Sequence, residues 1–264
     1  MIKKTKKAAK YILMESSAIG HGMFGKLRCP VCGGKIVKYA RFPEWYLDMY
    51  SRHRFIHPLF AYETFNAIDF MCPLCHASDS ARLYALYLGK RLPELSGEIR
   101  LLDIAPSAPL AKLIKKHENV NYRSADLTRT DVDDQVDLTA MPVYADNSFD
   151  LIICTHVLEH IEDDRAAMSE LYRIMKSGGE AILQVPVLPT LEKDYENPSV
   201  RSLEDHWRYY GEADHVRVYS KVGYLEKLQA SGFKVRQLGA DFFGKETFEN
   251  NRITPGSVLY IVTK

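Results

Sequence analysis

The 264-residue chain lacks three things, and each lack removes a class of function. It has no charge surplus: 35 Lys and Arg stand against 34 Asp and Glu, a net charge of +1. No global field therefore draws it to nucleic acid, which counts against an RNA or DNA partner. It has no apolar run near the roughly 20 residues needed to span a bilayer. It also has too odd a set of cysteines, five in all, for disulfide pairing to use every one. Four of them form two Cys-x-x-Cys pairs and only Cys154 is left over. Paired thiols without an export signal suggest a metal site in a reducing compartment, so a cytoplasmic location is expected. The hydrophobic content, 46%, fills one large domain plus a small appendage.

The first 26 residues form a basic arm. Lys3, Lys4, Lys6, Lys7 and Lys10 precede a short apolar run, Tyr11 to Met14, which Glu15 ends. That run is too short for the core of a secretory signal. A basic helix burying Ile2, Tyr11, Ile12 and Met14 would suit peripheral contact with the inner, anionic face of a membrane. The simpler reading is a solvated arm.

Residues 27–80 are aromatic and rich in turn signals. "CPVCGG" (Cys29, Cys32) and "CPLCHAS" (Cys72, Cys75) place thiolates two residues apart on tight turns. Two such turns complete a tetrahedral four-thiolate site, and with no open position its Zn2+ would be structural. His76 is surplus to that set. The intervening aromatics would either cover an active-site mouth and stack on an acceptor or form a local core. Arg41, Arg52, His53, Arg54 and His57 could meet an anionic acceptor or face solvent.

From residue 81 to 264 strand and helix patterns alternate. "IRLLDIA", "NVNYRSADL", "QVDL", "SFDLIICTH" and "EAILQVPVL" read as strands. "LAKLIKKH", "DDRAAMSELYRIMKSGG" (closed by Gly178 and Gly179) and "KVGYLEKLQASGF" read as helices. "FKVRQLGA" and "SVLYIVTK" are two further strands, joined without a clear helix, which suggests one antiparallel member at the end. The pattern predicts an α/β fold with a doubly wound, mostly parallel sheet of seven strands.

One more absence is local. In "RLLDIAPSAPLAKLI" a strand ends at Asp103 and a helix follows, yet the turn between them holds no glycine. Ala105, Pro106, Ser107, Ala108 and Pro109 stand where a ligand-approaching turn is commonly glycine-rich. Alanine and serine are small enough for backbone to approach a ligand without phosphates, so the departure points to altered turn geometry rather than a lost site.

The blocks "LLDIAPS", "YRSADL", "DLTAMPVYADNSFDLIICTHVLEHIEDD", "ELYRIMKSGGEAILQVP" and "LQASGFKV", in that order, resemble the class I S-adenosylmethionine-dependent methyltransferases of the type 11-like kind. The resemblance implies their Rossmann-like fold and S-adenosyl-L-methionine as cofactor. It also implies roles. Asp103, with Ile104 and Ala105, would line the methionine side; Asp126, followed by Leu127, would accept both ribose hydroxyls. Asp137 and Leu138 would sit by the adenine. His156 leaves the fourth strand where the transferred methyl should lie, as both cofactor neighbour and first candidate base. "HVLEHI" also reads as a helix-start packing signature with Glu159 and His160 buried in hydrogen bonds, which is the better reading for His160. His215, with Arg217, is the second choice, in the insertion "EDHWRYYGEADHVRVYS". A small polar acceptor such as a saccharide or glycolipid intermediate suits this set. An RNA methyltransferase and a non-catalytic zinc-binding partner protein are the alternatives. The sequence leaves the oligomeric state open.

Overall fold

The computed structural model describes residues 25–264, so the membrane-contact reading, which rests on Ile2 to Met14, lies outside the described residues. The described chain opens with a small antiparallel ribbon, β1 (Leu27–Arg28) and β2 (Lys35–Ile36), then α1 (Glu44–His53) and α2 (Asp79–Arg91). Next come β3 (Ile99–Ile104), α3 (Ala108–Ile114), β4 (Val120–Asp126), β5 (Asp134–Gln135) and β6 (Phe149–Thr155). After α4 (Asp164–Ile174) follow β7 (Met175–Gln184), α5 (Leu203–Tyr210), α6 (Lys221–Ala230) and β8 (Lys234–Leu238). Two short helices, α7 (Ala240–Phe243) and α8 (Lys245–Asn250), lead to β9 (Leu259–Thr263).

The seven-stranded sheet has the order β5-β4-β3-β6-β7-β9-β8. All its pairings are parallel except those of β9, which runs against both β7 and β8. Successive strand side chains face opposite sides, and the core divides accordingly. Leu101, Ile153 and Ile261 face α2, α3, Phe243, Phe248 and the cysteine turns through Cys29, Val31 and Tyr39. Leu102, Ile104, Ile152 and Val262 face α4 and α6 through Met168, Leu171, Tyr224 and Leu228. The cysteine segment thus shares its core with one face of the sheet.

Arg82 of α2 clamps this face together and is fully buried. Its guanidinium donates to the carbonyls of Asn251 (2.9 Å), Phe70 (3.1 Å), Asp69 (2.5 Å) and Arg252 (3.0 Å). It also stacks 3.9 Å above the Tyr39 ring.

Four sequence expectations shift. Gly178 and Gly179 do not close a helix: α4 stops at Ile174 and the chain enters β7 at once, because buried Met175 pairs with Phe149. The glycines occupy an irregularity where the β6 register shifts, Gly178 at φ +77° and Gly179 with Lys176 O only 2.9 Å from where a Cβ would lie. β5 spans two residues rather than reaching Leu138. The last connection holds α7 and α8, and the antiparallel strand lies between β7 and β8 rather than at the edge. No helix among the described residues is long and apolar enough to cross a membrane.

Candidate active site

The chain runs from β3 to β4 on one side of the sheet and returns to β6 on the other. Such a reversal opens a crevice at the carboxyl ends of the strands. Asp103, at the end of β3, is buried and accepts from the Tyr122 hydroxyl at 2.8 Å. Burial pushes its carboxyl up to about 7, against the lowering effect of that bond and of Arg129 and Lys115. Ala105 follows at φ +51°, the left-handed region that glycine adopts most easily, with its N–H on Ala125 O at 2.7 Å. The missing glycine is therefore replaced by an alanine holding a glycine conformation. Arg129 pins the same turn through Pro106 O at 2.7 Å.

Asp126 ends β4 and closes an Asx turn, Oδ1 accepting from the N–H groups of Thr128 (2.8 Å) and Arg129 (2.9 Å). Its Oδ2 has no partner among the described residues. Leu127 beside it is 64% exposed, a large apolar side chain left uncovered at the crevice. Asp137 accepts from the N–H and hydroxyl of Thr139 at 2.8 and 2.7 Å, which hold its carboxyl below the usual range. Two expectations need correction here. The side chains of Ile104 and Leu138, 1% and 4% exposed, point into the core, so only their backbone can meet a ligand.

Beyond β6 lies a second space, a cavity of 570 Å³. Tyr46, Tyr50 and Phe55 from the aromatic segment form one wall, Asp79 at the start of α2 another, and Gln184–Val187 the floor at the end of β7. Glu212 and His215, past α5, close it. The aromatics also pack on one another, Phe42 with Tyr46 and with Phe65 at 5.0 Å, and α1 leans on Trp207 of α5. They serve as local core and as cavity wall at once. Arg41, Arg52 and Arg54 are exposed and outside that wall.

His156 stands where the two spaces meet, since β6 is the strand beside β3. It holds a left-handed backbone at φ +56°, which histidine adopts more readily than most non-glycine residues, with its N–H on Gln184 O at 2.8 Å. Nδ1 lies 3.3 Å from Glu159 Oε1 and Nε2 3.4 Å from the Tyr84 hydroxyl. Glu159 is 1% exposed; burial alone would raise its carboxyl, but His156, His215 and His160 outweigh that and hold it low. Burial pushes His215 down to about 4, Glu212 up to about 7 and Asp79 up to about 6. Arg217 turns out to be a brace rather than a free cation. It donates to the carbonyls of Leu158 (2.9 Å), Ile161 and Glu162 (2.8 Å), which shapes the turn carrying Glu159 and His160. Asp79 and Glu212 escaped the sequence reading because no local spacing ties them to the other groups.

Just ahead of α2, the sulfurs of Cys29, Cys32, Cys72 and Cys75 lie within 4.8 Å of one another, Cys29 and Cys75 at 3.9 Å. Tetrahedral Zn–S bonds of about 2.3 Å require sulfurs about 3.8 Å apart, so the set fits the ion.

The profile of a methyltransferase-domain family matches residues 57–238. The reducing polyketide synthase AFT16-1 of Alternaria alternata is 32% identical over 129 residues, 46% of this chain. The matched chain spans only 5% of that synthase. Of solved structures, the [4+2]-cyclase SpnF aligns at 17% identity over 69% of this chain and 80% of its own, with a TM-score of 0.45. An S-adenosylmethionine-dependent methyltransferase of Mesorhizobium loti aligns at 15% identity over 68% and 98%, with a TM-score of 0.43. The profile match, spanning more than half of the sequence, decides the assignment: the chain belongs to the methyltransferase-domain family.

Proposed function

We propose that the enzyme methylates a hydroxyl of a small polar acceptor, a saccharide or glycolipid intermediate, seated in the aromatic cavity. The observation carrying this reading is His156, at the junction between the crevice of Asp103, Asp126 and Asp137 and the 570 Å³ cavity. S-adenosyl-L-methionine supplies, when bound, a methyl group on a positively charged sulfur. Toward it, Asp126 offers its unpartnered Oδ2 to the ribose hydroxyls, and Leu127 its exposed side chain to the adenine face. Asp137 accepts from the adenine amino group, while the Leu138 backbone approaches the ring edge. Asp103 and the Ala105 turn face the methionine part.

Methyl transfer to oxygen needs alignment, exclusion of water and a group to take the hydroxyl proton. His156 takes it through Nε2, where the long contact to Tyr84 yields to the acceptor, while Glu159 lies beside the ring on the Nδ1 side. His215, kept neutral by burial, is the second candidate. The carboxylates of Glu159 and Asp214 at the cavity, both held low by their histidine neighbours, oppose phosphate-bearing acceptors, which disfavours RNA. Aromatic rings suit the apolar faces of a sugar. Zn2+ held by Cys29, Cys32, Cys72 and Cys75 would be structural, fixing the 27–80 segment against the 81–264 domain.

Calorimetric titration with S-adenosylmethionine tests the first half: micromolar binding, about −8 kcal/mol, is expected, and Asp126→Ala should abolish it. Incubation with saccharide and RNA acceptors tests the second. Methyl uptake by a saccharide, falling about 10²–10⁴-fold in His156→Ala with cofactor affinity kept, supports the reading. Uptake by RNA alone would overturn it.

A further inference from the structure

The cavity contains a second cluster of metal-ligand atoms besides the four thiolates. Glu159, His160 and His215 each present one carboxylate oxygen or ring nitrogen, all within 4.8 Å of one another, and all three residues line the cavity. The cluster joins two distant segments. Glu159 and His160 come from the turn after β6, and His215 from the stretch after α5. A backbone bond from Val216 N–H to Glu159 O, 2.9 Å long, fixes one against the other. The His160 and His215 rings meet edge to face with centroids 4.5 Å apart.

Glu159 is the group that asks for a ligand. It is 1% exposed, and neither carboxylate oxygen accepts a hydrogen bond. His156 Nδ1 lies 3.3 Å from Oε1 without the alignment of a hydrogen bond. An ionised carboxylate taken out of water without bonds carries a penalty of several kcal/mol, which a coordinated cation removes. His160 is backed by Asp214, whose Oδ1 lies 3.2 Å from Nδ1. A carboxylate behind an imidazole is the usual support of a metal-binding histidine.

We infer that Glu159, His160 and His215 bind a divalent first-row transition-metal ion, of the Zn2+ or Fe2+ type, inside the acceptor cavity. Two imidazoles and one carboxylate select such ions over Mg2+ or Ca2+, which prefer oxygen. Bonds of about 2.1 Å place tetrahedral ligand atoms about 3.4 Å apart, a contraction that small side-chain rotations supply. Three protein ligands leave coordination open to water or a hydroxyl. An acceptor hydroxyl bound there loses its proton more readily, within reach of His156. Metal binding itself does not depend on which acceptor the enzyme uses.

The test is Co2+ titration of the full chain after metal removal, followed by absorption and by metal content. Wild type should bind about two ions per chain: one giving the intense thiolate-to-cobalt band, the other only weak bands of a nitrogen- and oxygen-bound ion. Glu159→Gln and His215→Ala should each fall to about one ion while keeping the thiolate band, which also reports that the fold is intact. Cys72→Ser should lose the thiolate band and keep the weak ones, so the two sites fail separately. A wild type that takes up a single ion, or a Glu159→Gln or His215→Ala variant that keeps the second, overturns the inference.

Discussion

Asp103 is a carboxylate kept in a place that disfavours its charge, and this should be visible in how the protein melts. The groups facing it are Tyr122 on β4, Arg129 beyond that strand, Lys115 beyond α3 and the buried Cys154 on β6. Together they leave its carboxyl at about 7 in the folded protein, from an ordinary 3.8. The folded state thus holds this proton more tightly than the unfolded chain. Stability falls as pH rises from 3.8 toward 7 and is level above that, because the unfolded chain releases the proton first. At 1.36 kcal/mol per tenfold difference in proton affinity, the full loss is on the order of 4 kcal/mol. About 1 kcal/mol of it has occurred by pH 4.5 and all of it by pH 8.5. Asp103→Asn keeps an acceptor for the Tyr122 hydroxyl and carries no charge, so it escapes the loss. For a chain of this length the unfolding entropy is about 0.55 kcal/mol per degree. The melting temperature of Asp103→Asn relative to wild type should therefore rise by about 6 °C between pH 4.5 and 8.5. Scanning calorimetry at the two pH values measures it. A gap that is the same at both, or that shrinks, refutes the argument.

Other perturbations probe separate parts of the structure. Ala105→Gly relieves a left-handed alanine worth about 1–2 kcal/mol but adds up to about 1 kcal/mol of unfolded-chain entropy; urea unfolding should show it level with or slightly above wild type. Ala105→Val, branched at a positive φ, should lose about 2 kcal/mol or more in the same assay. Arg82→Met strips the carbonyls of Phe70, Asp69, Asn251 and Arg252 of their buried donor, and should cost about 3 kcal/mol or more in urea unfolding. Leu127→Ala should weaken S-adenosylmethionine binding by about 1 kcal/mol with no change in melting temperature, since that side chain packs on little else; a drop in melting temperature with unchanged affinity would contradict its assignment.

The central strands were legible because β3 and β6 are continuous apolar runs, and the four-cysteine set because its spacing has few other uses. The start of β7 was not, since "MKSGG" carries a helix-ending signal that tertiary pairing of Met175 with Phe149 overrides. Helices α7 and α8 are only four and six residues long, and what holds them is the distant packing of Phe243 and Phe248. Strand alternation should have shown that Ile104 shares the inward face of Leu102, leaving only backbone for a ligand. The cavity was hardest to foresee. Its walls come from five stretches between Phe42 and Val218, and no window of sequence contains two of its opposite sides. Glu159 reads as one polar residue in a helix start until the fold buries it beside three histidines.

The aromatic wall of the cavity has its two ends fastened at one point. About 40 residues separate Cys32 from Cys72, so an ion bound to all four thiolates ties this whole stretch into a closed ring. Cross-linking a loop of that length removes about 4 kcal/mol of chain entropy from the unfastened state. An ion held there would act on the proposed acceptor recognition from outside the cavity, by narrowing what Tyr46, Tyr50 and Phe55 can do before anything binds. Stripping that ion should then weaken acceptor binding through lost order in the ring, while the crevice of Asp126 and Leu127, built on strands outside it, keeps its grip on the nucleoside.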